Sequence, residues 1–198
     1  GRLGDRFRGR RRPEQPDIPE SPLTRALRRV HFEPLEPRVL LSADPLTYAA
    51  TAASELTLGL EDREGVETLV LRDALDAIVA EQELATTSVV QVLGSPGDDT
   101  LTIDLSMPFT VPVEFDGAEG FDDLEIIGGA FASAVYAAFG PDSGTIALDD
   151  AFIAYEGIEP IVDGTTPADR TVTATGGADV IRLSAGSTPG SLLVASDN

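Results

Sequence analysis

The chain has 198 residues and a formal net charge of −20, from 14 basic and 34 acidic residues. All basic residues are arginines; the sequence has no lysine, cysteine or tryptophan and a single histidine, His31. The lack of cysteine excludes disulfides, thiolate zinc sites and cysteine nucleophiles, and the lack of lysine excludes a P-loop lysine and a Schiff base. One histidine also excludes a two-histidine metal site within the chain.

The charge is divided unevenly along the sequence. Residues 1–38 carry ten arginines and six acidic residues, a net charge of +4, whereas residues 39–198 carry four arginines and 28 acidic residues, a net charge of −24. Residues 1–31 are rich in arginine and proline and too poor in apolar residues to build a core, so we predict a disordered arm. The arginines lack interleaved aromatic residues and precede a strongly acidic body, so we expect no nucleic-acid partner.

The apolar runs of the sequence are short. Behind the basic arm the run is only Val39 to Leu41, whereas a secretory signal needs about 7–15 apolar residues. The longest nearly apolar stretch, Ala130 to Phe139, is far below the roughly 20 residues that span a bilayer. The sequence therefore predicts no transmembrane segment and no ordinary signal peptide.

A recognisable motif lies in residues 32–49, between the arm and the body. This segment resembles the LEPR-XLL motif, which names a short N-terminal domain of large bacterial proteins. The matching residues are Leu35, Glu36, Pro37 and Arg38, then Leu40 and Leu41 after the variable Val39. The resemblance implies a very long, repeat-rich, exported or surface protein, with haemolysin-type calcium-binding or adhesin-like repeats. Its partners would be cell-surface or matrix components.

Residues 50–198 predict a body of short β-strands, and we expect this body to continue beyond residue 198. Leu101, Ile103 and Leu105 alternate with polar residues, which is typical of a half-buried strand, and Val111, Val113 and Phe115 repeat the pattern around Pro112, which favours an edge or a bend. Many such strands between turns rich in Gly, Asp, Ser and Pro predict an all-β body, either β-solenoid-like or a β-sandwich. Further strands are predicted at 55–60, 68–71, 88–93, 124–127, 133–137, 145–148, 152–155, 171–175, 180–183 and 191–195.

Residues 73–84 give conflicting signals. The segment is rich in helix formers, and Leu75, Ile78 and Val79 would share one helical face. In proteins that the chain resembles, however, the equivalent region is a strand, a turn and a second strand. We favour strands.

Two segments repeat with an offset of 23 residues. Gly94, Gly97, Asp99 and Leu101 recur in register as glycine, glycine, aspartate and leucine at 117, 120, 122 and 124. A further offset of 23 reaches a looser turn at Gly140, and Gly177–Ile181 repeats part of the pattern. A turn with two strands in about 23 residues fits one coil of a solenoid, although a sandwich gives the same number of strands.

The repeated segment resembles the glycine- and aspartate-rich nonapeptide of haemolysin-type calcium repeats. That resemblance places Asp99, Asp122 and Asp179 as Ca²⁺ ligands, since carboxylate oxygens suit this ion. The second glycine of the nonapeptide is replaced by Ser95 and Ala118, and the spacing is not nine or 18 residues. The alternative is that glycine and aspartate simply form β-turns here.

No catalytic constellation is evident in the sequence, and we assign no catalytic residue. There is no G-x-S-x-G motif, and His31 lies in the arm, away from any serine of the body. Carboxylate pairs at 98–99, 122–123 and 149–150 could serve glycoside hydrolysis in a carbohydrate-active β-helix, the third alternative. The favoured hypothesis is a non-enzymatic, architectural N-terminal segment of a large exported bacterial surface or adhesin-like protein. The second alternative is that the chain is a calcium-binding haemolysin-type repeat module.

Overall fold

A computed structural model describes residues 43–177, 181–185 and 192–196. Within these ranges the chain is all-β, as the alternating sequence patterns predict, and its strands form two mixed sheets. The one helical element there is a 3₁₀ turn at Leu84–Thr86. The described residues include no helix with the length and apolar character needed to cross a membrane. The predicted arm (1–31) and the six motif residues lie outside the described residues.

The described ranges contain fifteen strands. They are β1 (Asp44–Ala49), β2 (Glu55–Arg63), β3 (Val66–Asp73), β4 (Ile78–Glu83), β5 (Thr87–Leu93), β6 (Thr100–Asp104), β7 (Val113–Asp116), β8 (Asp123–Ile127), β9 (Ala130–Ala138), β10 (Gly144–Leu148), β11 (Ala151–Glu156), β12 (Ile161–Asp163), β13 (Thr166–Thr173), β14 (Ile181–Ala185) and β15 (Leu192–Ser196). All the predicted strands are confirmed in type, including β4 in the segment 73–84 for which strands were favoured, and β1 and β12 are additions. β1 lies inside the segment assigned to the motif, 32–49.

The chain crosses repeatedly between the two sheets. Sheet A has the order β1-β5-β7-β11-β10-β9-β13, and sheet B has the order β14-β15-β12-β8-β6-β2-β3-β4. The run from β5 to β8 alternates between the sheets, and each strand lies parallel to its neighbour in the same sheet. Parallel strands need a crossover connection, and here the other sheet supplies it.

The 23-residue offset of the sequence is the register of these parallel pairs. Val90 pairs with Val113 between β5 and β7, and Leu101 pairs with Leu124 between β6 and β8. The continuation of this spacing to Gly140 is wrong. Gly140 lies in the turn between β9 and β10, an antiparallel hairpin inserted before the next parallel pair, so the strand that follows β7 in register is β11.

The core lies between the sheets and consists of aliphatic rows. In sheet B one row joins Leu56, Leu101, Leu124 and Ile161, all buried and each paired with the next in parallel register. In sheet A the equivalent row joins Val90, Val113 and Ile153. Alternation in the sequence thus places one apolar side chain per strand in each row, which is why the patterned strands form the interior.

Pro112 lies immediately before β7 rather than within it. Its carbonyl oxygen accepts a hydrogen bond from the N–H of Val90, and the chain bends at Val111. The predicted bend is therefore correct, but the alternative of an edge strand is wrong, since β7 lies between β5 and β11. The missing N–H of proline is harmless at this position because the strand ladder starts one residue later.

The segment 73–84 forms the end of β3, a turn and β4, as favoured over a helix. The carboxylate of Asp73 accepts hydrogen bonds from the N–H groups of Leu75 and Ala77, both at 2.9 Å, which turns the chain back. Leu75 is 88% exposed, so it does not serve the apolar face that a helix would have needed. Pairing of β4 with β3 outweighs the helix propensity of the isolated sequence.

The outermost described strands carry residues that discourage further pairing. β1 contains Pro45, β4 contains Glu81 and Glu83, and β13 contains Pro167 and Asp169. β4 also reaches the first strand of sheet A, where Nε2 of Gln82 donates a hydrogen bond to the carbonyl oxygen of Asp44 at 3.0 Å. Proline and charge on an edge strand are common protection against uncontrolled strand addition.

We call one strand of each sheet, together with the turns that join them, a level. The parallel register predicts that one level can be removed without changing the pairing of the remaining strands. Deleting residues 100–122 joins Asp99 to Asp123, and β8 then takes the place of β6 with every side chain on its original face. We expect this variant to keep a cooperative thermal transition and the β-type circular dichroism spectrum.

The control is a deletion of residues 101–122, one residue shorter. It shifts the following strand by one position relative to the turn, which exchanges the core and solvent faces. We expect loss of the cooperative transition in this variant. Equal stability of the two deletions would contradict the register.

Candidate functional site

Two of the predicted ligand aspartates lie one above the other where the chain enters sheet B. Ser54, Asp99 and Asp122 immediately precede the parallel strands β2, β6 and β8, and we call these three residues the corner row. Asp99 and Asp122 are 2% and 1% exposed. Buried aspartates at equivalent positions of successive levels must find partners within the protein, because an unpaired buried charge is costly.

Asp99 uses both of its carboxylate oxygens within the protein. Oδ1 accepts hydrogen bonds from the N–H and the hydroxyl of Ser54, both at 2.6 Å. Oδ2 accepts from the N–H of Ser95 at 2.6 Å and from its hydroxyl at 2.9 Å. Burial alone would raise the pKa of Asp99, but these four donors outweigh burial and hold the pKa below its ordinary value.

Asp122 has only half of these partners. Its Oδ1 accepts a hydrogen bond from the N–H of Asp99 at 2.7 Å, while its Oδ2 is buried with no hydrogen-bond partner. Ala118 stands where Ser95 stands one level earlier, so there is no hydroxyl, and its N–H donates instead to Asp116 at 3.0 Å. Burial raises the pKa of Asp122, and repulsion from neighbouring aspartates raises it further. The hydrogen bond from Asp99 lowers this pKa, but by less than the other two effects together raise it.

This geometry does not provide a ligand cage for the predicted Ca²⁺. In the ranges that the structure describes, no three histidine, cysteine, aspartate or glutamate side chains form a group suited to a metal ion. Asp99 and Asp122 come together, but Asp179 lies outside the described residues. Calcium binding by these three aspartates stays a prediction.

Two other predicted carboxylates, Asp98 and Asp149, also accept hydrogen bonds from backbone N–H groups. Asp149 lies in the turn between β10 and β11, where its side chain accepts hydrogen bonds from the N–H groups of Ala132 and Ser133 at 2.9 and 2.8 Å. These bonds lower its pKa. Asp98 accepts from the N–H of Phe121 at 3.0 Å, on the turn before Asp122. These aspartates fix turns, as the alternative interpretation of the repeated segments expects.

A buried cluster between the two sheets was not predicted from the sequence. Asp163, 1% exposed, occupies a place in the aliphatic rows of sheet B beside Ile126. Its carboxylate accepts a hydrogen bond from the hydroxyl of Tyr136 and forms an ion pair with Arg170 at 3.1 Å. Burial, together with the bond to Asp163, raises the pKa of Tyr136. The signal in the sequence was an aspartate directly after two apolar residues.

This cluster also contains polar atoms without partners. Oγ1 of Thr165 and Nε of Arg170 are both buried with no hydrogen-bond partner, although Arg170 donates to the carbonyl oxygen of Thr165 at 2.8 Å. The arrangement can hold charge in the core, because the guanidinium and the carboxylate compensate each other.

The outer face of sheet A carries an open, acidic groove. It has a volume of about 590 Å³ and crosses the four parallel strands β1, β5, β7 and β11. Glu114, Asp116 and Glu156 line it, and Asp116 pairs in register with Glu156. Nε2 of Gln91 donates to Glu114 at 2.8 Å. Like charges side by side on a sheet repel each other, so this face attracts cations.

Comparison of the chain with protein-family models, curated proteins and solved structures finds no match.

Within the corner row, substitution of Asp99 should lower the free energy of unfolding most. In Asp99→Asn one carboxylate oxygen becomes an amide that faces the donors of Ser54 or Ser95. We expect a loss of about 3 kcal/mol in the free energy of unfolding, measured by urea titration. Asp150→Asn, on an exposed turn, is the control and should change stability by less than about 0.5 kcal/mol. A similar small effect of both substitutions would contradict the assignment.

The buried cluster predicts a difference between two tyrosines. Tyr136→Phe removes a hydrogen bond to a buried carboxylate and should lower the free energy of unfolding by about 2 kcal/mol. Tyr155→Phe is the matched control, since the described contacts give the half-buried Tyr155 hydroxyl no hydrogen-bond partner. Urea titration of both variants compares the two effects. Losses of equal size would show that the Tyr136–Asp163 bond contributes nothing.

Proposed function

We propose that the chain is a non-catalytic, architectural segment of a large exported bacterial surface protein of the adhesin-like class. The parallel register of β5 to β8 carries this proposal. In this arrangement the 23 residues that separate β5 from β7 and β6 from β8 add one level to both sheets, in the manner of a solenoid coil. A structure built from such levels supports a stiff stalk or platform. The body as a whole is a β-sandwich-like pair of mixed sheets, and in this hypothesis the solenoid-like description applies to the parallel run from β5 to β8.

The described side chains are consistent with a role in support. Asp99, Asp122 and Asp149, three of the aspartates that could have served chemistry, hold backbone N–H groups of neighbouring levels or turns. The acidic groove on sheet A offers carboxylates without a described basic side chain among its lining residues. It therefore favours contact with cations or with cation-bearing cell-surface or matrix components.

The proposed location rests on the resemblance of residues 32–49 to the LEPR-XLL motif. That motif accompanies large exported or surface proteins, and a body without cysteine folds without disulfides in any redox compartment. The basic arm and the acidic body then have separate roles, one before and one after the motif. Export is part of the proposal and needs its own test.

An antibody raised against residues 43–177 tests the proposed location. We expect it to label intact cells of the source bacterium, and we expect protease added outside the cells to remove the label. The control is a cytoplasmic marker protein, which should be labelled only after lysis. Labelling of the body only in lysed cells would overturn the surface proposal.

Calcium stabilisation is the second candidate, and the unpartnered Oδ2 of Asp122 is the observation that favours it. A divalent cation would relieve repulsion in an acidic body as well as supply a partner for this oxygen. Screening by ordinary salt would relieve the same repulsion without a specific site. If Ca²⁺ binds at Asp122, a substitution that removes one carboxylate oxygen abolishes the stabilisation by Ca²⁺. If Ca²⁺ only screens the charge of the body, the same substitution leaves that stabilisation in place.

A further inference from the structure

The outermost strand β13 is attached to sheet A differently from the other six strands of that sheet. None of the side chains of β13 is buried, whereas each of the other six strands contributes at least one buried side chain to the core. The half-buried residues of β13 are Pro167, Arg170 and Val172. Because burial of apolar surface supplies most of the stability of a strand, β13 is held mainly by backbone pairing with β9.

Arg170 is the anchor of β13 in the interior. Its Nη2 forms an ion pair with Asp163 at 3.1 Å and donates a hydrogen bond to the carbonyl oxygen of Thr165 at 2.8 Å. This anchor is incompletely satisfied, because Nε of Arg170 and Oγ1 of Thr165 are buried with no hydrogen-bond partner. Buried polar groups without partners cost free energy, and that cost offsets part of what the ion pair contributes. Segments with few buried contacts open at a lower cost than the core of the same protein.

The connections on both sides of β13 contain glycine. Gly164 precedes the strand and Gly176 follows it. A Cβ added to Gly176 would meet no heavy atom within 4 Å beyond those of its own chain neighbours. Glycine has the backbone freedom that a hinge needs, so the chain can bend at both ends of β13 when the strand leaves its place.

β9 is the strand that β13 covers. It spans Ala130–Ala138 and contains no charged residue, no proline and no glycine. Its other edge pairs with β10, so departure of β13 leaves one row of backbone N–H and C=O groups unpaired on an uncharged strand. An edge of this composition is a template for a further strand. The outer edge of β13 is a poorer template, since it carries Pro167 and Asp169.

We propose that β13 is an exchangeable edge strand, and that the edge of β9 accepts β13 from a second copy of this chain. Two features specify this occupant. Residues between Thr166 and Thr173 pair with β9 in parallel register, and Arg170 of the incoming strand compensates Asp163, whose carboxylate is buried. The contacts made between two copies are then those made within one copy. Reciprocal exchange gives a closed dimer, and exchange in one direction gives an open chain of copies.

The charge of the protein gives this exchange a salt dependence. Two copies with a net charge of −20 each repel one another, whereas β13 carries one aspartate and one arginine and is neutral. Salt screens repulsion between exposed charges and has much less effect on a buried ion pair. Exchange between whole chains should therefore rise with ionic strength, while binding of an isolated β13 peptide should change little.

A fluorescent peptide with the sequence of residues 164–175 tests the edge of β9. The host is the full chain carrying Val135→Cys and Thr171→Cys, which are paired residues of β9 and β13. Neighbouring strands lie at a separation that a disulfide can bridge, and the chain has no other cysteine, so oxidation locks β13 in place. We expect fluorescence anisotropy to show binding to the wild type and to the reduced host, with affinity for the oxidised host lower by about tenfold or more.

The matched control is the same peptide with Arg170→Gln. It keeps the register and the length of the strand but leaves Asp163 without a cation, so we expect its affinity for the reduced host to fall by about tenfold. Exchange between whole chains is measured by native mass spectrometry after incubation in concentrated sodium chloride. We expect dimers of the wild type and of the reduced host, and monomers of the oxidised host.

Three results would overturn the proposal. Equal peptide binding to the oxidised and reduced hosts would show that the peptide binds elsewhere. No binding to the reduced host would show that β13 does not leave the edge of β9. Dimers of the oxidised host would show that copies associate through another surface. None of these results bears on the surface labelling of cells, because the inference goes beyond the proposed function and does not depend on the proposed location.

Discussion

Parallel pairing of strands from successive levels is the constraint on which the rest of the structure depends. A strand such as β6 has no hairpin partner, so its backbone groups pair only with β2 and β8. The same constraint leaves N–H groups at the corners outside the ladders. Asp99 and Asp122 accept those N–H groups from the residue one level before them. A slip of one residue would break these bonds and remove Leu101 from the core together with them.

The two inserted hairpins show how the chain varies without losing this register. Between β2 and β6 the chain adds β3 and β4, and between β8 and β11 it adds β9 and β10. Each hairpin adds antiparallel strands to one sheet. The next strand after the hairpin, β5 or β11, again pairs in parallel with an earlier strand of sheet A. In the turn between β2 and β3, Glu64 and Gly65 both have positive φ, 57° and 88°. Such a turn matches the twist of the strands it joins.

The sequence was informative where one local pattern decides the outcome. Alternation predicts strands such as β6 and β8, and the offset of 23 residues predicts their register. At 73–84 the local helix propensity was overruled by pairing with β3, which no short window of sequence contains. The missing partner of Asp122 is visible as Ala118 in place of Ser95, but only once the register is known. The cluster of Tyr136, Asp163 and Arg170 was hidden because three strands from two sheets bring it together.

The spacing of the levels has a consequence for the size of any protein built this way. Neighbouring strands lie about 4.8 Å apart, so a level of 23 residues lengthens the structure by about 4.8 Å, whereas one fully extended residue covers about 3.3 Å. The length of the structure therefore increases by a small fixed amount with each level, and each level adds one side chain to every core row. A projection of about 1,000 Å made of such levels would need about 4,800 residues.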